Sequence, residues 1–291
     1  MTSHLAFDRR NFLVGGTALL GGCMAAPSSK SDRGGPARAD DGRILVLVEL
    51  YGGNDGLNTI VPYADDEYWR RRPNVNVAKD TLLPLDDYCA FNPLLANTRG
   101  QWNDGRLAIV RGVGYAQPVY SHFKSFEIWH TAREQGRPSG DGWIGRLRGT
   151  HWKDDPRAEL VVHVGGAVPY SLYSSTHPVV AYATPESFVW AGDALAQQAY
   201  QQAVKAAESA PTKSGRDAMR ARLTQTLADA QQLSPRVLKA TLEYQPKTEY
   251  PTDEFGRALR CIAGMIDARF GGRVYSVQLG NFDTHATQQD P

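Results

Sequence analysis

The chain alternates short, nearly unbroken apolar runs with longer segments of helical spacing. Arg43 to Tyr51 (RILVLVELY) is apolar almost throughout and stops at Gly52-Gly53-Asn54-Asp55-Gly56. Runs of the same character recur at Leu107 to Val113, Leu160 to Val164 and Val274 to Leu279. A strand apolar on both faces belongs in the middle of a sheet covered by helices on each side. Between these runs, Pro93 to Asn103, Ser121 to Arg133, Ser187 to Ser209, Gly215 to Gln232 and Asp253 to Phe270 carry apolar residues at helical intervals. Strands separated by such segments predict an α/β fold, a three-layer α/β/α sandwich around a mainly parallel central sheet. The stretch at about 187–232, rich in Ala and Gln and broken at Pro211-Thr212-Lys213-Ser214-Gly215, reads as an exposed helical insertion.

The N-terminus follows a different pattern. Arg9-Arg10 stand directly before an apolar stretch, Phe12 to Ala26, that is interrupted by Gly15, Gly16, Gly21 and Gly22. Paired arginines before a short, moderately apolar segment resemble a twin-arginine export signal, and the segment is too short for an ordinary spanning helix. Ala37-Arg38-Ala39 reads as a small-x-small cleavage site, which makes 1–39 a signal peptide and linker and 40–291 the folded domain. Leu20-Gly21-Gly22-Cys23 offers the alternative of a lipobox, with the protein membrane-anchored through a lipidated Cys23. Either way the expected location is outside the cytoplasm, periplasmic or extracellular, with the twin-arginine export machinery as a partner. Cys89 and Cys261 then remain, and two cysteines in a chain of this length more often sit buried and free than paired.

Composition narrows the function classes. Of 291 residues, 42% are apolar, enough for a sizeable core, and 28 Gly with 17 Pro imply many loops rather than a helical bundle. With 32 basic against 31 acidic residues the net charge is +1, and no basic run of the kind a nucleic-acid binder needs appears after the N-terminal segment.

In open α/β sheets, ligands bind beyond the carboxyl ends of the strands, so polar residues directly after apolar runs are the candidates for chemistry. Asp55 follows the first run inside a Gly-rich turn. Ser121-His122 come after the second run and open a helical segment, where Ser is also an ordinary N-cap. Asp283-Thr284-His285 follow the last run, and an Asp and a His two positions apart can reach one metal ion. Together a carboxylate, a hydroxyl at the positive end of a helix and an Asp/His pair suit a divalent metal and a bound anion such as phosphate. His163, in mid-run, reads as a satisfied core histidine.

These residues carry a resemblance. Gly52-Gly53-Asn54-Asp55-Gly56-Leu57-Asn58 with Pro62-Tyr63, Tyr68 and Arg72-Pro73, then Val113-Gly114 before Ser121-His122-Phe123, Gly140-Asp141-Gly142-Trp143-Ile144-Gly145-Arg146, and Phe282-Asp283-Thr284-His285 with Gln288, resemble the bacterial family called domain of unknown function 1501. That family is grouped with the alkaline phosphatase and sulfatase superfamily. The resemblance implies an alkaline-phosphatase-like sandwich, with Asp55, Asp283 and His285 as metal ligands, Ser121 as nucleophile and His122 in support. It implies divalent metal ions, two in the superfamily's pattern, and a small anionic ester as substrate. Members continue to an Asp-His-Gly motif that supplies further ligands, so the expectation for a chain ending at Pro291 is a domain incomplete at its C-terminus. Two functions are expected of such a chain: an exported metal-dependent hydrolase of phosphate or sulfate esters or, alternatively, a non-catalytic binding or assembly protein on the same fold.

Overall fold

The computed structural model describes residues 42–134, 140–189, 192–208 and 215–285. The export signal, Cys23 and Gln288 lie outside these residues, as does most of the predicted break at Pro211. In chain order the elements are β1 (Leu45–Leu50), α1 (Gly56–Thr59), β2 (Ile60–Val61), α2 (Asp66–Arg71), β3 (Leu83–Pro84), β4 (Ala90–Phe91), α3 (Arg99–Asn103), α4 (His122–Thr131), α5 (Trp143–His151), β5 (Val161–Val164), β6 (Val180–Tyr182), α6 (Ala194–Glu208), α7 (Gly215–Glu243), α8 (Glu254–Asp267) and β7 (Val274–Leu279).

The predicted α/β character and parallel sheet are present. Four strands lie in the order β1-β7-β5-β6, every neighbouring pair parallel. The last strand is therefore inserted between the first and β5, with Leu45 opposite Val274 and Leu50 opposite Leu279. Side chains alternate across a strand, so each face collects its own core. On one face Val162, Val164, Tyr275 and Val277 pack with Leu233 and Val237 of α7 and Ala258, Ile262 and Met265 of α8. Asp253 starts α8 by accepting a hydrogen bond from Gly256 N at 2.7 Å, and the apolar residues that follow at helical spacing turn to the sheet. On the opposite face Leu45, Leu47, Val161 and Val274 pack with Ile144 and Leu147 of α5 and with Leu172.

Three expectations need correction. The run Arg43 to Tyr51 does not form a central strand: β1 is the sheet's edge, and Val46, Val48 and Leu50 stay about two-fifths exposed on one face. The run Leu107 to Val113 forms no strand at all, because no segment among the described residues offers it a ladder. The predicted helix over Gly215 to Gln232 instead continues to Glu243, passing through Pro235 and burying Leu233, Val237 and Ala240. Sequence patterning also passed over β6 and the small antiparallel sheet β2-β4-β3, whose strands are two or three residues long. Cys89 and Cys261 are buried and free. His163 is fully buried, with Nδ1 3.3 Å from Ser276 Oγ and no hydrogen-bond partner at Nε2, so it is only half satisfied.

Candidate metal centre

The turns that leave β1 and β7 are tied to each other. Tyr51 N donates to Leu279 O at 2.8 Å and Phe282 N to Tyr51 O at 3.4 Å. Gly52 takes φ +112°, and a Cβ there would stand 2.8 Å from Asp283 N, so the backbone of one turn lies directly on the other. Asn281 and His285 hold left-handed backbone at φ +71° and +46°, an uncommon conformation for residues other than glycine. The result brings Asp283 and His285 back over the first turn.

Helix α4 arrives at the same place. Gly53 stands against His122, whose Cε1 would be 3.6 Å from a Cβ on the glycine. Asp283 Oδ1 is 2.7 Å from His285 Nε2 and 3.5 Å from His122 Nε2. One donor atom from each of the three residues falls within 4.8 Å of the others. A tetrahedral zinc ion with bonds of about 2.0–2.2 Å places its ligand atoms roughly 3.3 Å apart, and two imidazoles with one carboxylate are a zinc-type donor set that leaves a coordination position open. The three side chains could hold a divalent metal once the Asp283–His285 ion pair opens from 2.7 Å toward that spacing. All three side chains are well exposed, so solvent and small ligands reach them.

Ser121 holds the N-cap position of α4 in an extended conformation, yet its side chain makes no capping hydrogen bond. The hydroxyl is not used to start the helix. Together with His122 and His285 it lines an open cleft of about 870 Å³, whose other walls include Tyr51, Tyr120, Phe126, Trp129 and Trp143.

Asp55 has other work. As N-cap of α1 it accepts from Leu57 N and Asn58 N at 3.2 Å each, and its second oxygen pairs with the Arg72 guanidinium. It lies on the turn after β1, as its position in the sequence implies, but outside the His122/Asp283/His285 group. The structure thus unites Asp283 and His285 of the expected ligands, adds His122, leaves Ser121 lining the same cleft as His122 and His285, and turns Asp55 toward Arg72.

Two residues in the same cleft escaped the sequence reading. Glu49 is the sole carboxylate in the first apolar run, and His130 stands eight positions after His122, with Phe126 midway. That i, i+4, i+8 spacing on one helix face was the available signal. Glu49 accepts from Ser171 Oγ at 2.6 Å and Gln278 Nε2 at 3.1 Å, with His130 Nε2 3.5 Å away. Burial opposes its ionisation, but the hydrogen bonds from His130, Ser171 and Gln278 outweigh it and hold the carboxyl below its ordinary value.

Compared with protein families, curated proteins and solved structures, the chain has no significant match.

Proposed function

We propose that this protein is an exported hydrolase of phosphate or sulfate esters, working with a divalent metal held by His122, Asp283 and His285 on an alkaline-phosphatase-like sandwich. The observation that carries this reading is the convergence of those three donors beyond the carboxyl ends of β1 and β7, with Ser121, whose hydroxyl makes no capping bond, lining the same cleft as His122 and His285. The resemblance to the domain of unknown function 1501 family points the same way.

In this reading the free N–H groups at the start of α4 hold the ester's anionic oxygens, since helix N-termini favour negative charge. Ser121 Oγ then takes the phosphoryl or sulfuryl group and the alcohol departs with a proton. Water entering through the open cleft releases the inorganic anion and restores the serine. When bound, the metal would lower the pKa of the attacking hydroxyl and offset the developing charge. Arg9-Arg10 support passage through the twin-arginine route, with substrate met outside the cytoplasm.

One observation favours a second reading, a non-catalytic binding or assembly protein on the same fold. The Asp55 carboxylate, which a two-metal hydrolase would use, is occupied by Arg72 and the start of α1. Turnover separates the two. Purified protein loaded with zinc, manganese or magnesium is expected to hydrolyse 4-nitrophenyl phosphate or 4-nitrophenyl sulfate, and to lose that activity in Asp283→Asn and His285→Ala. Stoichiometric metal without turnover of either ester hands the assignment to the binding reading.

A further inference from the structure

The cleft has a second polar end. His122, Phe126 and His130 form one stripe along α4, with ring centroids 6.2 Å apart from His122 to Phe126 and 5.8 Å from Phe126 to His130. Tyr51 stacks on Phe126 at 4.6 Å with the planes 9° apart. Eight residues of helix rise about 12 Å, so the Glu49–His130 pair sits some two turns from the His122/Asp283/His285 group, with an aromatic wall between.

The distal end has the character of a cation site. Glu49 and His130 side chains are both about 15% exposed and both line the cleft. Ser171 and Gln278 donate to Glu49 as neutral groups, His130 is its ion-pair partner when protonated, and no lysine or arginine pairs with it among the described residues. His163 is close enough to feel the Glu49 charge, and burial pushes its pKa down. A carboxylate at the end of a cleft lined by Trp129, Trp143, Phe126 and Tyr51 attracts a positive group through its charge, and the aromatic walls bury the apolar chain that carries it.

We infer that Glu49, with His130 beside it, forms a distal subsite whose carboxylate takes the ammonium group of an extended ligand whose anionic end lies at the His122/Asp283/His285 group. The ligand class is therefore an aminoalkyl or aminoaryl ester of phosphate or sulfate. Only the anionic end rests on the hydrolase reading; the ammonium end stands on Glu49 and the aromatic wall.

Calorimetric titration of the zinc-loaded protein with hexylammonium, hexanol, hexyl phosphate and 6-aminohexyl phosphate tests this, since an extended six-carbon chain suits the spacing of the two ends. Wild type is expected to bind hexylammonium in preference to hexanol, and 6-aminohexyl phosphate at least tenfold tighter than hexyl phosphate. Glu49→Gln keeps the shape of the side chain and should erase both preferences while leaving hexyl phosphate unchanged. Trp129→Leu, at a half-exposed position, should weaken hexylammonium and 6-aminohexyl phosphate more than hexanol and hexyl phosphate. The inference is overturned if hexylammonium and hexanol bind equally to wild type, if the amino group adds nothing to hexyl phosphate, or if either preference survives in Glu49→Gln. A failure of the hydrolase reading looks different: hexyl phosphate would bind wild type no better than His285→Ala, with the ammonium preference intact.

Discussion

Gly52 and Asp283 lie in contact through their backbones, with Asp283 N 2.8 Å from the point where a Cβ on Gly52 would be. The contact joins the first turn of the sheet to the last and sets the height at which the Asp283 carboxylate meets His122. Gly52→Ala therefore meets both a clash with main chain and a φ of +112° that L residues avoid. Chemical denaturation should show a loss of about 1–3 kcal/mol, and zinc titration a drop in affinity of at least tenfold.

The roles of the two aspartates should separate on mutation. Asp55→Ala removes an N-cap and the partner of Arg72, so stability is expected to fall by about 1–2 kcal/mol while zinc affinity holds within about twofold. Asp283→Ala is expected to do the reverse, because its carboxylate is half exposed and its contacts are with the two imidazoles. Melting temperature and zinc affinity measured on the same pair of variants check both statements.

Ser121→Ala should change stability by less than about 0.5 kcal/mol, since the hydroxyl makes no capping bond to be lost. In the hydrolase reading the same change removes the nucleophile, and turnover of the aryl esters should fall at least a hundredfold with metal content unchanged. Activity close to wild type would remove Ser121 from the chemistry.

The Arg157 guanidinium beside Asp155 holds its carboxyl down at about 2, below an unfolded value near 3.8. A carboxyl depressed in the folded state contributes stability that is complete above the unfolded value and is lost as the pH falls through the folded one. The urea midpoint of wild type should exceed that of Asp155→Asn at neutral pH. The gap should close between about pH 4 and pH 2, and a constant gap across that range would remove the pair from the acid limb.

Helix α8 shows how far local pattern reaches. Its Asp253 cap and the apolar residues Phe255, Ala258, Leu259, Ile262, Met265 and Ile266 are visible in the sequence, and the observed helix lies within the predicted one. The run Leu107 to Val113 has the apolar content of a strand but no ladder partner, because composition expresses a tendency to be buried and not the identity of a neighbour. Strands such as Ala90–Phe91 are too short for any alternation to show.

The sequence by itself determined the α/β class and the parallel sheet, the start of a helix at Ser121, and the closeness of Asp283 to His285, since each depends on spacing within one element or one turn. Tertiary structure alone decided that β7 lies between β1 and β5, which puts Gln278 beside Glu49 across 229 positions of chain. It also decided that His122 joins the Asp283/His285 pair while Asp55 turns to Arg72. Periodicity constrains which face of an element a side chain takes, whereas strand order fixes which faces meet, and that order is set by packing over the whole sheet.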